Sequence, residues 1–317
     1  MFHKLKYDWK LLSLVSLFLL IASACDNDSQ NLGNGPKLVD PRGIAIEANG
    51  DLVVADRGIP AVVRIDITNG NRSILSGLDT GEGPELMDPR GIDVLDNGTI
   101  VVANSDANTI LAIDPDTGDR SVLSGDGVGA GPALIEPRDL ALEADGNIVV
   151  KDVGLETVLG VDVDTGDRVI ISGQGVGTGP PFVTPRGIAV LPDGDLALAD
   201  VGLVAILGID RDNGNHMIIS DANTGTGPIF VAPTQIAVED DGNLLLTDSD
   251  LAAVFRIDTP TGNRTILSDA DTGSGPRFRR AVGDHLDVDG NLVVTDNERD
   301  AVIGVNTDTG ERTLITE

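Results

Sequence analysis

The side chains of this chain that could do chemistry fall into two sets: acids that recur every 48 residues, and polar residues that interrupt the recurrence. The recurring set is Asp56, Asn104, Asp152, Asp200, Asp248 and Asp296. Brought to one opening, these oxygens would form a ring able to hold a hard cation such as Ca2+, with Asn104, Asp152, Asp200 and Asp248 as the metal candidates. The same positions would serve equally as turn caps that accept backbone N–H groups, alone or with the arginines Arg42, Arg90, Arg138 and Arg186 beside them. A position filled in every copy points to the structural task.

The interrupting set is more individual. Lys151 stands where other copies carry Ala or Thr, and Asp139 and Gln235 where they carry Gly. Asp93 and His285 replace an Ala, and Asp284 replaces Ile or Leu. His285 with Asp284, near Arg279 and Arg280, is the grouping closest to a catalytic cluster; Asp93 and Lys151 complete the catalytic candidates. The structural alternative is repair of a degenerate terminal repeat. His216 is expected in an exposed hairpin turn. Acidic segments such as Asp114–Asp119 and Asp162–Asp167 resemble calcium loops but lack the downstream bidentate Glu, and read as turns. Nucleophile elbows, phosphate loops and zinc-spaced His/Cys sets do not occur.

These residues must be positioned by the repeat itself. Its copies begin at Pro41, Pro89, Pro137, Pro185, Pro233 and Ala281, without insertion or deletion. Each holds four short runs rich in β-branched residues and Leu, in the first copy 43–47, 51–56, 61–67 and 72–76. Asn49-Gly50 and its counterparts predict a type I′ hairpin between the first two runs. Four antiparallel strands in about 48 residues make a propeller blade. The expected fold is therefore all-β, a six-bladed β-propeller over residues 36–317. The last copy lacks its final 11 positions, which match residues 30–40, so the N-terminal segment is expected to dock across the seam between blades six and one.

The chain starts with Lys4, Lys6 and Lys10, followed by an apolar stretch over 11–24 that ends in Ala22-Ser23-Ala24-Cys25. That is the pattern of a bacterial lipoprotein signal (1–24) with Cys25 as the lipidated residue and 25–35 as a flexible tether. The implied location is the cell envelope, with the membrane as a partner through Cys25. By resemblance to enterobacterial lipoproteins, Asp26 favours the periplasmic side of the inner membrane. Cys25 is the single cysteine, which excludes disulfides within the chain.

The net charge of −29 becomes −31 once residues 1–24, with three lysines and one aspartate, are removed. Such a surface opposes phosphate backbones and excludes nucleic acid as a partner. Beyond the signal the aromatics are Phe182, Phe230, Phe255 and Phe278, too few for stacking platforms or aromatic hot spots. Binding must rely on charge, hydrogen bonds and backbone.

The pattern PRGIAV, DGNLVVAD, AVxRID and TGxR resembles NHL-type repeats across residues 36–317. The resemblance implies a six-bladed fold whose relatives include scaffolds, RNA binders, an amidating lyase and gluconolactonase-like hydrolases. Charge opposes the RNA-binding branch, and two histidines beyond the signal fall short of the lyase's several. The expected function is a lipid-anchored, non-catalytic binding or scaffold module for a protein or small-molecule ligand. The alternative is a divalent-metal-dependent hydrolase or lactonase drawing on Asp93, Asn104, Asp152 and His285.

Overall fold

A computed structural model describes residues 33–317; Cys25, Asp26 and the signal stretch lie outside the described residues. Blade one contains β1 (Pro41–Ile46), β2 (Leu52–Asp56), β3 (Ala61–Ile65) and β4 (Arg72–Ser76), and blade two β5 (Pro89–Val94), β6 (Ile100–Asn104), β7 (Thr109–Ile113) and β8 (Arg120–Ser124). Blade three contains β9 (Pro137–Leu142), β10 (Ile148–Asp152), β11 (Thr157–Val161) and β12 (Arg168–Ser172). Blade four contains β13 (Pro185–Val190), β14 (Leu196–Asp200), β15 (Ala205–Ile209) and β16 (His216–Ser220). Blade five contains β17 (Pro233–Val238), β18 (Leu244–Asp248), β19 (Ala253–Asp258) and β20 (Asn263–Ser268). Blade six contains β21 (Ala281–Leu286), β22 (Leu292–Asp296), β23 (Ala301–Val305) and β24 (Arg312–Thr316). Every blade is a four-stranded antiparallel sheet in chain order, so the protein is an all-β six-bladed propeller.

The first hairpin departs from the expected turn type. Glu47 O accepts the N–H of Gly50 (2.8 Å) while Glu47 N donates to Asp51 O (2.8 Å). Only Gly50 has a positive φ (+90°), so the connection is a type I turn followed by a glycine bulge, not type I′. The side chain of Asn49 supports it by accepting the Asp51 N–H at 2.9 Å.

Apolar side chains on both faces of the sheets meet between blades, so the core is six layers rather than one. Ala45, Val53 and Val62 of blade one pack on Ile92, Val102 and Leu111 of blade two, for example. Leu38, from the N-terminal segment, joins Ile44, Val63, Val293 and Val302 at the ring closure. Phe182, Phe230 and Phe278 occupy the equivalent place in later layers.

Each seam also carries a polar clasp. Ser76 Oγ donates to Gly118 O (2.7 Å) and accepts from Arg120 Nη1 (2.6 Å), while Arg120 Nε donates to Pro84 O (2.6 Å). At the closing seam Thr316 Oγ1 donates to Gly70 O (2.8 Å) and contacts Arg72, whose Nε donates to Pro36 O (2.7 Å). Residues 34–36 thus take the place that a blade connector takes elsewhere. In blade four the arginine is replaced by His216, which is half-buried at the start of β16 rather than exposed in a turn. Its Nε2 lies 2.7 Å from Pro180 O and its ring stacks on Phe182 at 4.6 Å.

Candidate functional site

The innermost strand of each blade begins with an irregularity. In blade one the pairing steps from Pro41↔Asp56 directly to Ile44↔Val54, and blades two and four repeat the step. A bulge of this kind re-aims the extra side chain, here Arg42, Arg90 and Arg186; Arg138 occupies the same place in blade three. All four converge on one mouth of the central channel. Arg280 joins them from blade six, two positions earlier in its repeat, and the five arginines line a cavity of about 280 Å3.

The first three arginines are matched. Arg42 pairs with Asp40 (2.9 Å), Arg90 with Asp88 (2.8 Å), and Arg138 Nε donates to Glu136 (2.8 Å). Each acid sits two residues before its arginine. The corresponding residues of blades four, five and six are Thr184, Ala232 and Arg280, and among the described residues Arg186 forms no ion pair. Burial, then the charges of Arg138, Arg90, Arg42 and Arg280, pushes the Arg186 guanidinium below its ordinary value. Arg280 stands 3.9 Å from Glu298 in an exposed contact, which contributes little. The Nε atoms of Arg42, Arg90 and Arg280 are buried without a hydrogen-bond acceptor.

The floor of this cavity comes from the residues that replace glycine. Elsewhere at this level the strands approach so closely that a Cβ on Gly43 would lie 2.5 Å from Arg90 O, and one on Gly283 2.0 Å from Arg42 O. Asp139 and Gln235 break that rule and meet each other: Gln235 Nε2 donates to Asp139 Oδ2 at 2.9 Å, from blade five to blade three. Asp139 also accepts the Ile188 N–H (2.8 Å). Lys151 is fully buried beneath the arginines, with Nζ donating to Pro185 O at 2.7 Å. Burial pushes the Asp139 carboxyl up to about 6, opposed by the Ile188 N–H and Lys151. Burial likewise pushes the Lys151 ammonium down to about 7, opposed by Asp139.

Gln235 also lines a second cavity of about 200 Å3 toward the other end of the channel, which brings Asp93, Asp284 and His285 together. His285 Nε2 lies 4.0 Å from Asp93 Oδ1, and the pair joins blades six and two. Burial raises the Asp93 carboxyl, with His285 opposing. Asp284 is buried, and neither oxygen meets a donor in hydrogen-bonding geometry. Burial lifts it well above the carboxylate range, although Thr247 lies close enough to temper the shift. Lys151 belongs to the arginine cavity, so the catalytic candidates are divided between the two.

The recurring acids line neither cavity. Asp200 is buried and accepts the N–H groups of Val183 (2.8 Å), Thr184 (2.9 Å), Gly202 (2.9 Å) and Leu203 (3.0 Å). Asp248 accepts those of Val231, Ala232, Asp250 and Leu251. Asp152 takes Ile135 and Leu155, and Asn104 accepts from Met87 and donates to Glu85 O. Their oxygens are committed to backbone, not to the neighbouring arginines. Among the described residues no group of three His, Cys, Asp or Glu side chains is placed to hold a metal ion. The acidic hairpins are Asx turns: Asp114 Oδ1 accepts from Asp116 (2.8 Å) and Thr117 (2.9 Å).

The repeat predicts the arginines as neighbours of these acids, not their convergence on one mouth. The 48-residue spacing of Arg42, Arg90, Arg138 and Arg186 was the available signal. Arg280 breaks the spacing and is brought in by geometry alone.

The chain matches no protein-family model, and no curated protein sequence is significantly similar to it. Solved structures do resemble it. Virginiamycin B lyase from Staphylococcus aureus is 15% identical with a TM-score of 0.62, over 88% of this chain and 86% of that one. A gluconolactonase from Xanthomonas campestris is 19% identical (TM-score 0.63, covering 82% and 84%). A chain of the nidogen/laminin complex is 16% identical (TM-score 0.63, covering 80% and 89%). At such identities the likeness is one of fold: this chain shares its propeller with two enzymes and a partner in a protein complex.

Proposed function

We propose that the protein is a lipid-anchored cell-envelope module that binds an anionic ligand, or the acidic part of a partner, at the arginine-ringed mouth of its propeller without catalysis. The observation that carries this reading is the convergence of five arginines into one cavity on a chain of net charge −29. Cations gathered against the overall charge mark a place where negative charge is received. Uniform blades without inserted loops, the resemblance to NHL-type repeats and the nidogen/laminin neighbour support a binding role. The apolar stretch before Cys25 supports the anchor; no helix among the described residues is long and apolar enough to cross a membrane.

A thermal-shift screen of the purified protein tests the reading. Anionic compounds should raise the melting temperature where neutral and cationic ones do not, and Arg90→Gln with Arg186→Gln should remove the effect. A Cys25→Ala variant should lose metabolic labelling by palmitate. No preference for anions would refute the binding role.

The second reading, a hydrolase or lactonase, is favoured by Asp93 beside His285 in the far cavity and by the gluconolactonase neighbour. Turnover of lactones or esters that requires a divalent cation and is lost in His285→Ala would establish it.

A further inference from the structure

Within the binding reading just proposed, we infer that the mouth holds a compact dianion, seated between Arg186 and Arg280 on the side of the ring where blades four to six lack the acids of blades one to three. The charge follows from the pairing. Arg42, Arg90 and Arg138 each pair with an acid, Asp40 (shared with the half-exposed Arg57 at 2.6 Å), Asp88 and Glu136, whereas Arg186 has no carboxylate and Arg280 only an exposed contact at 3.9 Å. Two guanidinium charges are therefore left to be met from outside. Lys151 and Asp139 offset each other beneath them. Asp250 and Glu298 stand at the exposed rim, where solvent screens them.

The size follows from the cavity, about 280 Å3, which matches a small molecule. The donors follow from the guanidinium groups of Arg186 and Arg280, which line the cavity. Planar guanidinium groups favour oxygens borne in pairs. A phosphate monoester and a short dicarboxylate share that chemistry: two negative charges, borne by paired oxygens, within one compact molecule.

Calorimetric titration of the purified protein with inorganic phosphate, malonate and acetate at constant ionic strength tests this inference. Phosphate, malonate or both should bind at least tenfold more tightly than acetate. Binding of phosphate alone, or of malonate alone, supports the site and identifies its source. The decisive variant is Thr184→Asp, which gives Arg186 the acid its counterparts have. It should weaken the dianion at least tenfold, while Thr184→Ala leaves it unchanged. Equal affinity for acetate, or full affinity in Thr184→Asp, overturns the inference. If no small dianion binds but larger acidic compounds still raise the melting temperature through Arg90 and Arg186, the dianion site fails and the binding reading stands. If neither binds, both fail.

Discussion

Lys151 and Asp139 stand opposite each other across the β9–β10 pair of blade three, and neither residue type occurs at those places in any other blade. They are buried together under a ring of arginines, where neither would keep its ordinary ionisation alone. The pair and its bridge to Gln235 turn an open channel into a mouth with a polar floor.

Removing the cation should expose this dependence. Lys151→Met leaves a buried carboxylate without its compensating charge, at an expected loss of about 3 kcal/mol near pH 6.5, between the two values, where both groups carry charge. The sign with pH follows from the shifts. Asp139 is raised from 3.8 to about 6, so its contribution to stability is present below pH 4 and lost as pH rises through 6. Lys151 is lowered from 10.5 to about 7, so its contribution is present at high pH and lost as pH falls through 7. Lys151→Met should therefore cost less at pH 5, where Asp139 is protonated, than at pH 6.5, where Asp139 is ionised and Lys151 still charged. Urea denaturation at both values checks it, and equal losses would mean that Asp139 is not the group left uncompensated.

Asp200 holds four backbone N–H groups at the end of β14. Asp200→Ala orphans them and should cost about 3 kcal/mol. Asp200→Asn should cost less, because one oxygen remains to accept, as Asn104 Oδ1 accepts from Met87 in blade two. Calcium or a chelator should leave the unfolding midpoint of the wild type unchanged. A calcium-dependent rise that disappears in Asp200→Asn would instead put a cation on these carboxylates.

The six seams should differ in strength. His216→Arg restores the clasp of the other blades and should stabilise the protein by about 1 kcal/mol. Thr316→Val removes the hydroxyl between Gly70 and Arg72 and should destabilise it by about 1–2 kcal/mol. Hydrogen exchange in β4 and β24 should quicken in the Thr316 variant before exchange elsewhere. Unchanged protection there would show that the closing seam is held by apolar packing around Leu38 alone.

Much of the fold is legible in the sequence because it is set by neighbours along the chain. β-branched runs, glycines at fixed offsets and an unbroken 48-residue register specify four strands per blade and six blades. Even there the hairpin at Asn49-Gly50 is ambiguous in sequence, since a glycine with positive φ serves both a type I′ turn and a bulged type I turn. The place of His216 is hidden for a similar reason: its separation from Ser172 and Pro180 gives no hint that it closes a seam.

The candidate site was legible only in its parts. Composition and periodicity name Asp93, Lys151, Asp284 and His285 as departures from the repeat, and Arg42, Arg90, Arg138 and Arg186 as members of it. Ring closure decides their company. It sets His285 against Asp93 across the channel, joins Gln235 to Asp139 over 96 residues of chain, and turns the recurring acids toward backbone. Periodicity specifies the level each residue occupies in the ring. Which side chains then share a cavity depends on bulges, burial and close approach between blades, and these exist only once the ring has closed.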